Sequence, residues 1–364
     1  MSFLKNIFDK KNQPIKNYND FWRWFQNNEK VFFKVVKEKG NIEKDFFNKL
    51  SPQLNALKDG FNYLTGMYND NTVELVFTAD GVIKNIVFVE ELVNAAPKID
   101  GWVFTALKSA LGIENVSIEM GEYKFSNENI DFYYNEFADF PDEIDITIIH
   151  KDLNEENKAA ITNGTYIFLD NFLGELNFAT TIDTLNVIGS DNVQQEIIPI
   201  EKLKDYLVWR EKEFIEKYED VGRNTGNDNY SVLEATLQSG NALVAIINTD
   251  LLVWDSKASH PWILTVELKY EGKSRNGMPD KDTSELMEKI EDEILNELKD
   301  FEGYLNIGRQ TAENIREIYF ACKDFRKPSK ILHGIEKKYL DKIDLSYNIY
   351  KDKYWQSFDR YRIE

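Results

Sequence analysis

The sequence predicts an α+β protein built from ferredoxin-like modules, in which a β-sheet carries helices on one face and the module is internally repeated. Three observations predict this class. Runs such as 72–78 alternate apolar and polar residues, as strands with one buried face do. Stretches such as 201–218 space their apolar residues as an amphipathic helix does. The third observation is that two regions of the chain match one another.

The matching regions begin with "LKDGFNYLTG" at residue 57 and "LKDFEGYLNIG" at residue 298, and continue with "VELVFTAD" and "REIYFACKD". Phe77 precedes Trp102 by the same 25 positions that separate Phe320 from Leu345. Each region predicts a helix, a hairpin, a helix and a strand. With a strand at 262–270 in front, the second region has the element order of a ferredoxin-like split βαβ sheet. A true repeat requires the same strand order in both, and convergence on a common architecture is the alternative.

Composition shifts divide the chain. Residues 1–18 form a polar tail and residues 19–220 an N-terminal α+β region, which the pattern allows to be split into modules at about 19–125 and 126–220. The segment "EDVGRNTGNDN" has two glycines, three asparagines and no apolar periodicity, which predicts a linker at 221–229. A ferredoxin-like domain follows at 230–364.

Charge and composition limit the classes of partner and the cellular compartment that we expect for this protein. The 364 residues include 63 acidic and 44 basic side chains, a formal net charge of −19, which argues against binding to nucleic acid. No apolar run reaches the length of a membrane span, so no membrane contact is predicted. The single cysteine, Cys322, cannot form an intramolecular disulfide, and a reducing cytoplasm is the predicted location.

The segment "DSKASHPW", residues 255–262, holds the most chemistry-bearing residues in the shortest stretch. Pro261 biases His260 toward an extended backbone, and this separates it from Ser256 too far for a nucleophile–base pair. The favoured interpretation is a turn that leads into the strand, and the alternative is that His260 lines a ligand cleft with Trp262. His150, His260 and His333 are far apart and lack a metal motif. We therefore predict no catalytic residue, no metal site and no cofactor.

One segment departs from the acidic background. Between residues 309 and 330, six cationic side chains face only Glu313, Glu317 and Asp324, a net charge of +3 over 22 residues. A solvated hairpin is one interpretation, and docking of an acidic partner or of the protein's own acidic domain is the other. The six cationic residues are Arg309, Arg316, Lys323, Arg326, Lys327 and Lys330. The predicted binding residues are His260, Trp262, Arg309, Arg316, Lys323 and Arg326.

Three stretches carry a family resemblance: "SHPWILTVELKYEGKSRNGMPD", "LKDFEGYLNIGRQTAENIREIYFACKD" and "YKDKYWQSF". Through them residues 250–360 resemble the bacterial domain-of-unknown-function family six-ninety-five. Residues 19–220 resemble N-terminal regions that accompany this domain in bacterial proteins. The domain is also distantly similar, in architecture and acidity, to the B-type protein regulator of ribonuclease E, a small inhibitor. The resemblance implies no activity and no catalytic residues.

These observations favour a non-enzymatic protein-binding or regulatory protein of the cytoplasm, of the inhibitor, immunity-protein or ribonuclease-regulator kind. The expected partner is another protein, and the sequence sets no oligomeric state. The alternative is a hydrolase-like or small-ligand-binding enzyme with a cleft near His260, Trp262 and Arg309. An enzyme requires ionisable groups that converge in a pocket, whereas a binding module requires a broad charged or apolar patch.

Overall fold

A computed structural model describes residues 14–193, 195–272 and 276–362. Most of the predicted polar tail, residues 1–13, lies outside the described residues. The chain forms two compact units, one comprising residues up to 129 together with 152–179, the other comprising 130–151 and the chain from 180 onward. The predicted linker at 221–229 therefore lies inside the second unit, and the domain boundaries drawn from sequence stay a prediction.

The first unit combines a three-stranded sheet with helices. Helix α1 begins after Asn17, whose side chain accepts a hydrogen bond from the backbone N–H of Asp20 at 3.0 Å. It buries the predicted aromatic face, since Trp22, Phe25 and Phe32 are all inaccessible to solvent. The elements are α1 (Tyr18–Lys37), a π-helical segment (Glu43–Phe47), α2 (Asn48–Asn55), β1 (Asn62–Asn69), β2 (Thr72–Thr78), α3 (Ile83–Asn94), β3 (Trp102–Ala106), β4 (Ile118–Met120) and β5 (Tyr123–Phe125), followed after residue 151 by α4 (Lys158–Leu173) and α5 (Glu175–Thr180).

The second unit holds two sheets. Its smaller sheet has the strand order β8-β7-β6-β9, and its larger one has the order β10-β11-β13-β14-β12-β15 with all neighbours antiparallel. The elements are β6 (Ile130–Asn135), β7 (Asp145–His150), β8 (Thr184–Gly189), β9 (Ile198–Pro199), α6 (Leu203–Tyr218), β10 (Tyr230–Thr236), β11 (Ala242–Asn248), α7 (Thr249–Leu252), β12 (Trp262–Lys269), α8 (Lys281–Glu297), β13 (Tyr304–Ala312), β14 (Ile315–Cys322), α9 (Arg326–Tyr339) and β15 (Asp344–Lys351).

The larger sheet is buried on both faces at its centre, not on one face as its alternation suggested. Ile263 belongs to an apolar cluster with Trp355 and Phe358 of the C-terminal segment, which forms a 3₁₀-helix at Gln356–Tyr361. The next residue along β12, Leu264, points to the opposite face because side chains alternate, and it is also inaccessible. The C-terminal segment thus covers one face of this sheet.

The mixed α+β class is confirmed, whereas the internal repeat is not. In the first unit β3 pairs directly with β2 and runs parallel to it. In the second unit β12 lies between β14 and β15, so the corresponding strands are not neighbours. Both regions run hairpin, helix, strand along the chain, and yet their strand neighbours differ. Among the residues that the structure describes, no helix is both long and apolar enough to cross a membrane.

Candidate functional site: a cationic cavity in the second unit

Three chain segments meet at one edge of the larger sheet. Trp262, the first residue of β12, pairs with Cys322 at the end of β14 and with Lys351 at the end of β15. The segments that flank these strand ends therefore lie side by side. A cavity of about 240 Å³ opens at this edge. We call it the cationic cavity, because its charged lining residues are Lys323, Arg326, Lys351 and Lys353, with Asp324 and Glu211.

Aromatic and apolar side chains form part of its wall. The rings of Trp262 and Phe325 meet edge to face, with centroids 4.9 Å apart. Phe214 and Ile215 of α6 also line the cavity. The cavity thus combines apolar walls with a small number of charged groups, which is the composition typical of a ligand-binding or side-chain-binding pocket.

Two lysines at the cavity share one carboxylate. The Lys351 Nζ lies 2.8 Å from Asp183 Oδ1, and the Lys353 Nζ lies 2.7 Å from Asp183 Oδ2. Lys351 also donates to the carbonyl of Thr181 at 2.9 Å, and Lys353 to that of Asp142 at 2.6 Å. Both ammonium groups are therefore held in place, but one negative charge serves two positive charges.

Burial makes the Lys351 ammonium unusually acidic. Burial lowers the pKa of Lys351 to about 8, and the Lys353 ammonium lowers it as well, although the Asp183 carboxylate favours the charged form. The side chain of Lys351 is 14% exposed, so its amine is screened from water and yet reaches the cavity. This lysine can change its charge near neutral pH, which an ordinary surface lysine does not do.

The remaining two cations come from the connection between β14 and α9. Arg326 pairs with Asp324 at 3.1 Å, and its backbone N–H is capped by the same carboxylate at 2.8 Å. Lys323 is half-buried, and no carboxylate within the described ranges lies at ion-pair distance from it. Arg326 also begins α9, so the positive end of that helix faces the same edge of the sheet.

A second carboxylate fixes the segment that carries Lys353. Asp142 accepts hydrogen bonds from Lys217 Nζ at 2.9 Å, from the Tyr218 hydroxyl at 2.7 Å and from the Tyr354 hydroxyl at 2.6 Å. Burial alone would raise the pKa of Asp142, but these hydrogen bonds outweigh burial and lower it. The Asp142 cluster therefore ties residues 353–354 to the loop before β7 and to the end of α6.

The segment 255–262 is a turn that leads into β12, as predicted. A 3₁₀ turn spans Lys257–Ser259, and the strand begins at Trp262. The Ser259 Oγ lies 2.6 Å from the carbonyl of Ser256, which can only accept, so the hydroxyl proton points there. At 2.8 Å from His260 Nδ1 the same Oγ must then be the acceptor, and His260 carries its proton on Nδ1.

His260 is therefore a neutral core residue. Burial lowers the pKa of His260 to about 3, and the Lys323 ammonium lowers it as well. Its Nε2 is inaccessible and has no hydrogen-bond partner among the described residues. Trp355 Nε1 donates to the His260 carbonyl at 2.9 Å and fixes the backbone beside the cavity. Because the serine proton is committed to a carbonyl, Ser259 is not activated as a nucleophile.

Two predicted binding residues lie away from the cavity. Arg309 Nη1 contacts Glu291 Oε2 at 2.6 Å, and Arg316 Nη1 approaches the same oxygen at 3.9 Å. Glu291 is buried on α8, so these arginines belong to the face of the sheet that α8 covers. Burial and the nearby Arg309 lower the pKa of Arg316. Within the basic segment, Lys327 also pairs with Glu302 at 2.7 Å.

The structure thus divides the predicted binding residues. It brings Trp262, Lys323 and Arg326 to one cavity, and it places His260, Arg309 and Arg316 elsewhere. Sequence reasoning missed Lys351 and Lys353. Their signal was local, since "KDKYW" places one lysine at the end of a strand and a second lysine two residues later.

Comparison with known proteins places the family resemblance on the same region. Residues 229–361 match the model of a family of unknown function, DUF695. No curated protein and no solved structure matches the chain. The match carries no sign of the ribonuclease E regulator, so that likeness stays a prediction. The matched region supplies all four cations of the cavity, whereas Asp183 and Glu211 come from outside it.

Proposed function

We propose that this protein is a non-enzymatic binding protein, whose second unit docks an acidic segment of a partner protein at the cationic cavity. The observation that carries the proposal is the meeting of Lys323, Arg326, Lys351 and Lys353 in one apolar-walled cavity of a chain whose net charge is −19. A local reversal of sign steers an acidic group to this place, whereas the acidic remainder of the chain repels that group elsewhere.

Helix α6 extends the proposed surface. Ile215 lines the cavity and is 52% exposed, and Val208 lies two turns earlier with 66% exposure. Residues seven apart share one helix face, so these two side chains form an apolar strip that ends at the cavity. The partner segment that fits this surface has acidic residues next to aliphatic ones.

The geometry of the turn at 255–262 supports binding over hydrolysis. The Ser259 hydroxyl donates its hydrogen bond to the Ser256 carbonyl, and His260 has a pKa of about 3, so this pair offers neither a nucleophile nor a base at neutral pH. One observation favours the alternative of a small-ligand enzyme. The amine of Lys351 borders the cavity and loses its proton near pH 8, and a neutral amine is a nucleophile.

Two finer interpretations belong to the same proposal. We interpret β12 to β15 with α8 and α9 as a ferredoxin-like module, supported by the strand order β13-β14-β12-β15. A reducing, cytoplasmic location is supported by the single cysteine, Cys322, which is buried and free.

A designed peptide tests the proposed docking. A fluorescent peptide of alternating Glu and Leu is titrated against the full chain, with a Lys–Leu peptide of equal length as the control ligand. We expect the acidic peptide alone to bind, and added salt to weaken it. The double variant Lys323→Glu, Arg326→Glu should lower its affinity by about tenfold or more, since two attractive contacts become repulsive.

The matched control is the charge reversal Lys269→Glu, Lys281→Glu, which removes two cations of the same unit outside the cavity lining. It should change the affinity by less than about threefold, because it alters only the distant field. Equal affinity of the wild type and the Lys323–Arg326 reversal for the acidic peptide would exclude docking at this cavity.

A further inference from the structure

The residues that line the cationic cavity carry more positive than negative charge. One carboxylate, Asp183, serves both Lys351 and Lys353. Arg326 has Asp324, whereas Lys323 has no carboxylate within ion-pair distance in the part of the chain that the structure describes. An uncompensated positive charge in a partly dry site is unfavourable until an anion joins it or an amine loses its proton.

Lys351 is the group on which this imbalance acts most strongly. Its charged neighbours come from every element around it: the loop before β8, helix α6, the connection after β14, the start of α9 and the segment after β15. They are Asp183, Glu211, Lys323, Asp324, Arg326 and Lys353. In the cavity lining four cationic side chains, with Lys351 counted, thus meet two carboxylates, Glu211 and Asp324. Asp183 and Glu143, which interact with Lys353, lie outside the lining.

From this geometry we infer that the cavity binds a single oxyanion, a phosphate-type or carboxylate group, and that the binding form is the one in which Lys351 is protonated. The anion supplies negative charge inside the lining, where four cations face only two carboxylates. The inference rests on the proposed function for the place of the site, and extends it to free anions and to control by pH.

Proton linkage follows directly. An anion beside the Lys351 ammonium stabilises the charged form and therefore raises the pKa of this amine from its value of about 8. Anion binding above that pH must then take up a proton. Affinity should be highest where Lys351 is already charged, and should fall as the pH rises and neutral Lys351 has to be reprotonated.

The test uses anions whose own charge does not change over the range. Sulfate and acetate are titrated by calorimetry into the full chain, in low-chloride buffers at about pH 7 and about pH 9.5, both well above the acid range in which carboxylates titrate. We expect the affinity for the preferred anion to fall about tenfold at the higher pH. At about pH 8.5 the measured enthalpy should depend on the ionisation enthalpy of the buffer, which reports proton uptake. Preference for sulfate assigns a phosphate-type group, and preference for acetate a carboxylate.

Two variants locate the effect. Lys351→Met should weaken binding about tenfold at neutral pH and abolish the pH dependence, because it removes the titrating amine. Lys323→Met should weaken binding but retain the pH dependence, and it keeps the test valid if the first variant fails to fold. Lys281→Met, at a position 86% exposed on α8, is the control and should behave as wild type.

The outcomes separate this inference from the proposed function. Absence of binding by both anions, affinity independent of pH, or affinity unchanged in both cavity variants would overturn the oxyanion site. If the Glu–Leu peptide binds and sulfate neither binds nor competes, the proposed function stands and this inference fails. If sulfate behaves as expected and the peptide does not bind, the oxyanion site stands and docking of an acidic protein segment fails.

Discussion

Lys351 and Asp183 lie 168 positions apart in the chain and form an ion pair at 2.8 Å inside the second unit. Lys353 takes the other oxygen of the same carboxylate. The residues that follow the last strand are thereby fixed to a loop from the smaller sheet. The Asp183 carboxylate holds Lys351 in place and favours its charged form, but burial and the neighbouring Lys353 disfavour that form more strongly, so the pKa of Lys351 is lowered.

Replacement of Lys351 by methionine should change how stability depends on pH. The folded-state pKa of about 8 lies below the ordinary value for a lysine. Below about pH 8 both states of the wild type are protonated, and the folded state bears the cost of burying the charge. Between about pH 8 and 10 the unfolded chain binds more protons, so rising pH favours the folded wild type. We expect the free energy of unfolding of the wild type to rise by about 1–2 kcal/mol relative to that of Lys351→Met between about pH 8 and pH 10, as measured by urea unfolding at both pH values.

The control for this measurement is Lys281→Met, whose unfolding free energy should follow that of the wild type at each pH. A difference between wild type and Lys351→Met that stays constant from about pH 7 to pH 10 would mean that the amine titrates as an ordinary lysine.

The Asp142 cluster predicts the opposite dependence on pH. The pKa of Asp142 is lowered, so its hydrogen bonds contribute in full above the ordinary carboxyl pKa and are lost as the pH falls through the folded value. Asp142→Asn should cost about 2–3 kcal/mol of unfolding free energy near pH 7, because charge-assisted bonds from Lys217 and Tyr354 are lost. In acid the difference from wild type should shrink, and denaturant unfolding at about pH 7 and below about pH 4 measures it.

Tyr354→Phe tests the same cluster without a change of charge, and should cost about 1–2 kcal/mol for one buried hydroxyl that both donates to and accepts from Asp142. Asp292→Asn, at an exposed position on α8, is the matched control and should cost less than about 0.5 kcal/mol. Equal stability of Asp142→Asn and Asp292→Asn would show that the cluster contributes nothing.

Local periodicity made most elements predictable, and long-range pairing did not follow from it. The aromatic face of α1 was readable because Trp22, Phe25 and Phe32 repeat at helical spacing within a few turns. The position of Asp183 beside Lys351 was not readable, because nothing local indicates which lysine a distant carboxylate will meet. For the same reason the turn at 255–262 was predicted, but the direction of the Ser259 proton required coordinates.

The sequence did contain a signal for the position of Arg309 and Arg316 away from the cavity. Glu291 lies within the apolar face of α8, between the buried residues Ile290 and Ile294. An acid inside an apolar stripe indicates a buried ion pair, and its partners had to be cations on the strands below. The count of charges in 309–330 treated all six cations as exposed, whereas alternation along β14 directs Arg316 to the face of the sheet that α8 covers.

Loss of the Glu291 carboxylate should therefore leave buried cations without a partner. Glu291→Gln is expected to lower the free energy of unfolding by about 2–4 kcal/mol, since Arg309 and Arg316 then share no anion. Glu285→Gln removes an exposed carboxylate that pairs with Lys281 on the same helix, and should cost less than about 0.5 kcal/mol. Denaturant unfolding measures the loss of unfolding free energy in both variants. Similar losses would show that Arg309 and Arg316 are solvated and do not depend on Glu291.

The tautomer of His260 gives the sharpest test of the hydrogen bonding that we assign to the turn at 255–262. The proton of Ser259 lies toward the Ser256 carbonyl, so His260 should carry its hydrogen on Nδ1 and leave Nε2 bare. Nitrogen NMR of the labelled chain, assigned by a His260→Gln spectrum, should show an unprotonated Nε2 and no titration above about pH 5, since the pKa is about 3. Ser259→Ala should leave binding of the acidic peptide unchanged, because Ser259 holds the ring and does not line the cavity. A hydrogen on Nε2, or a midpoint between about pH 5 and 8, would instead make Ser259 a hydroxyl that donates to a base, and would restore the hydrolase-like alternative.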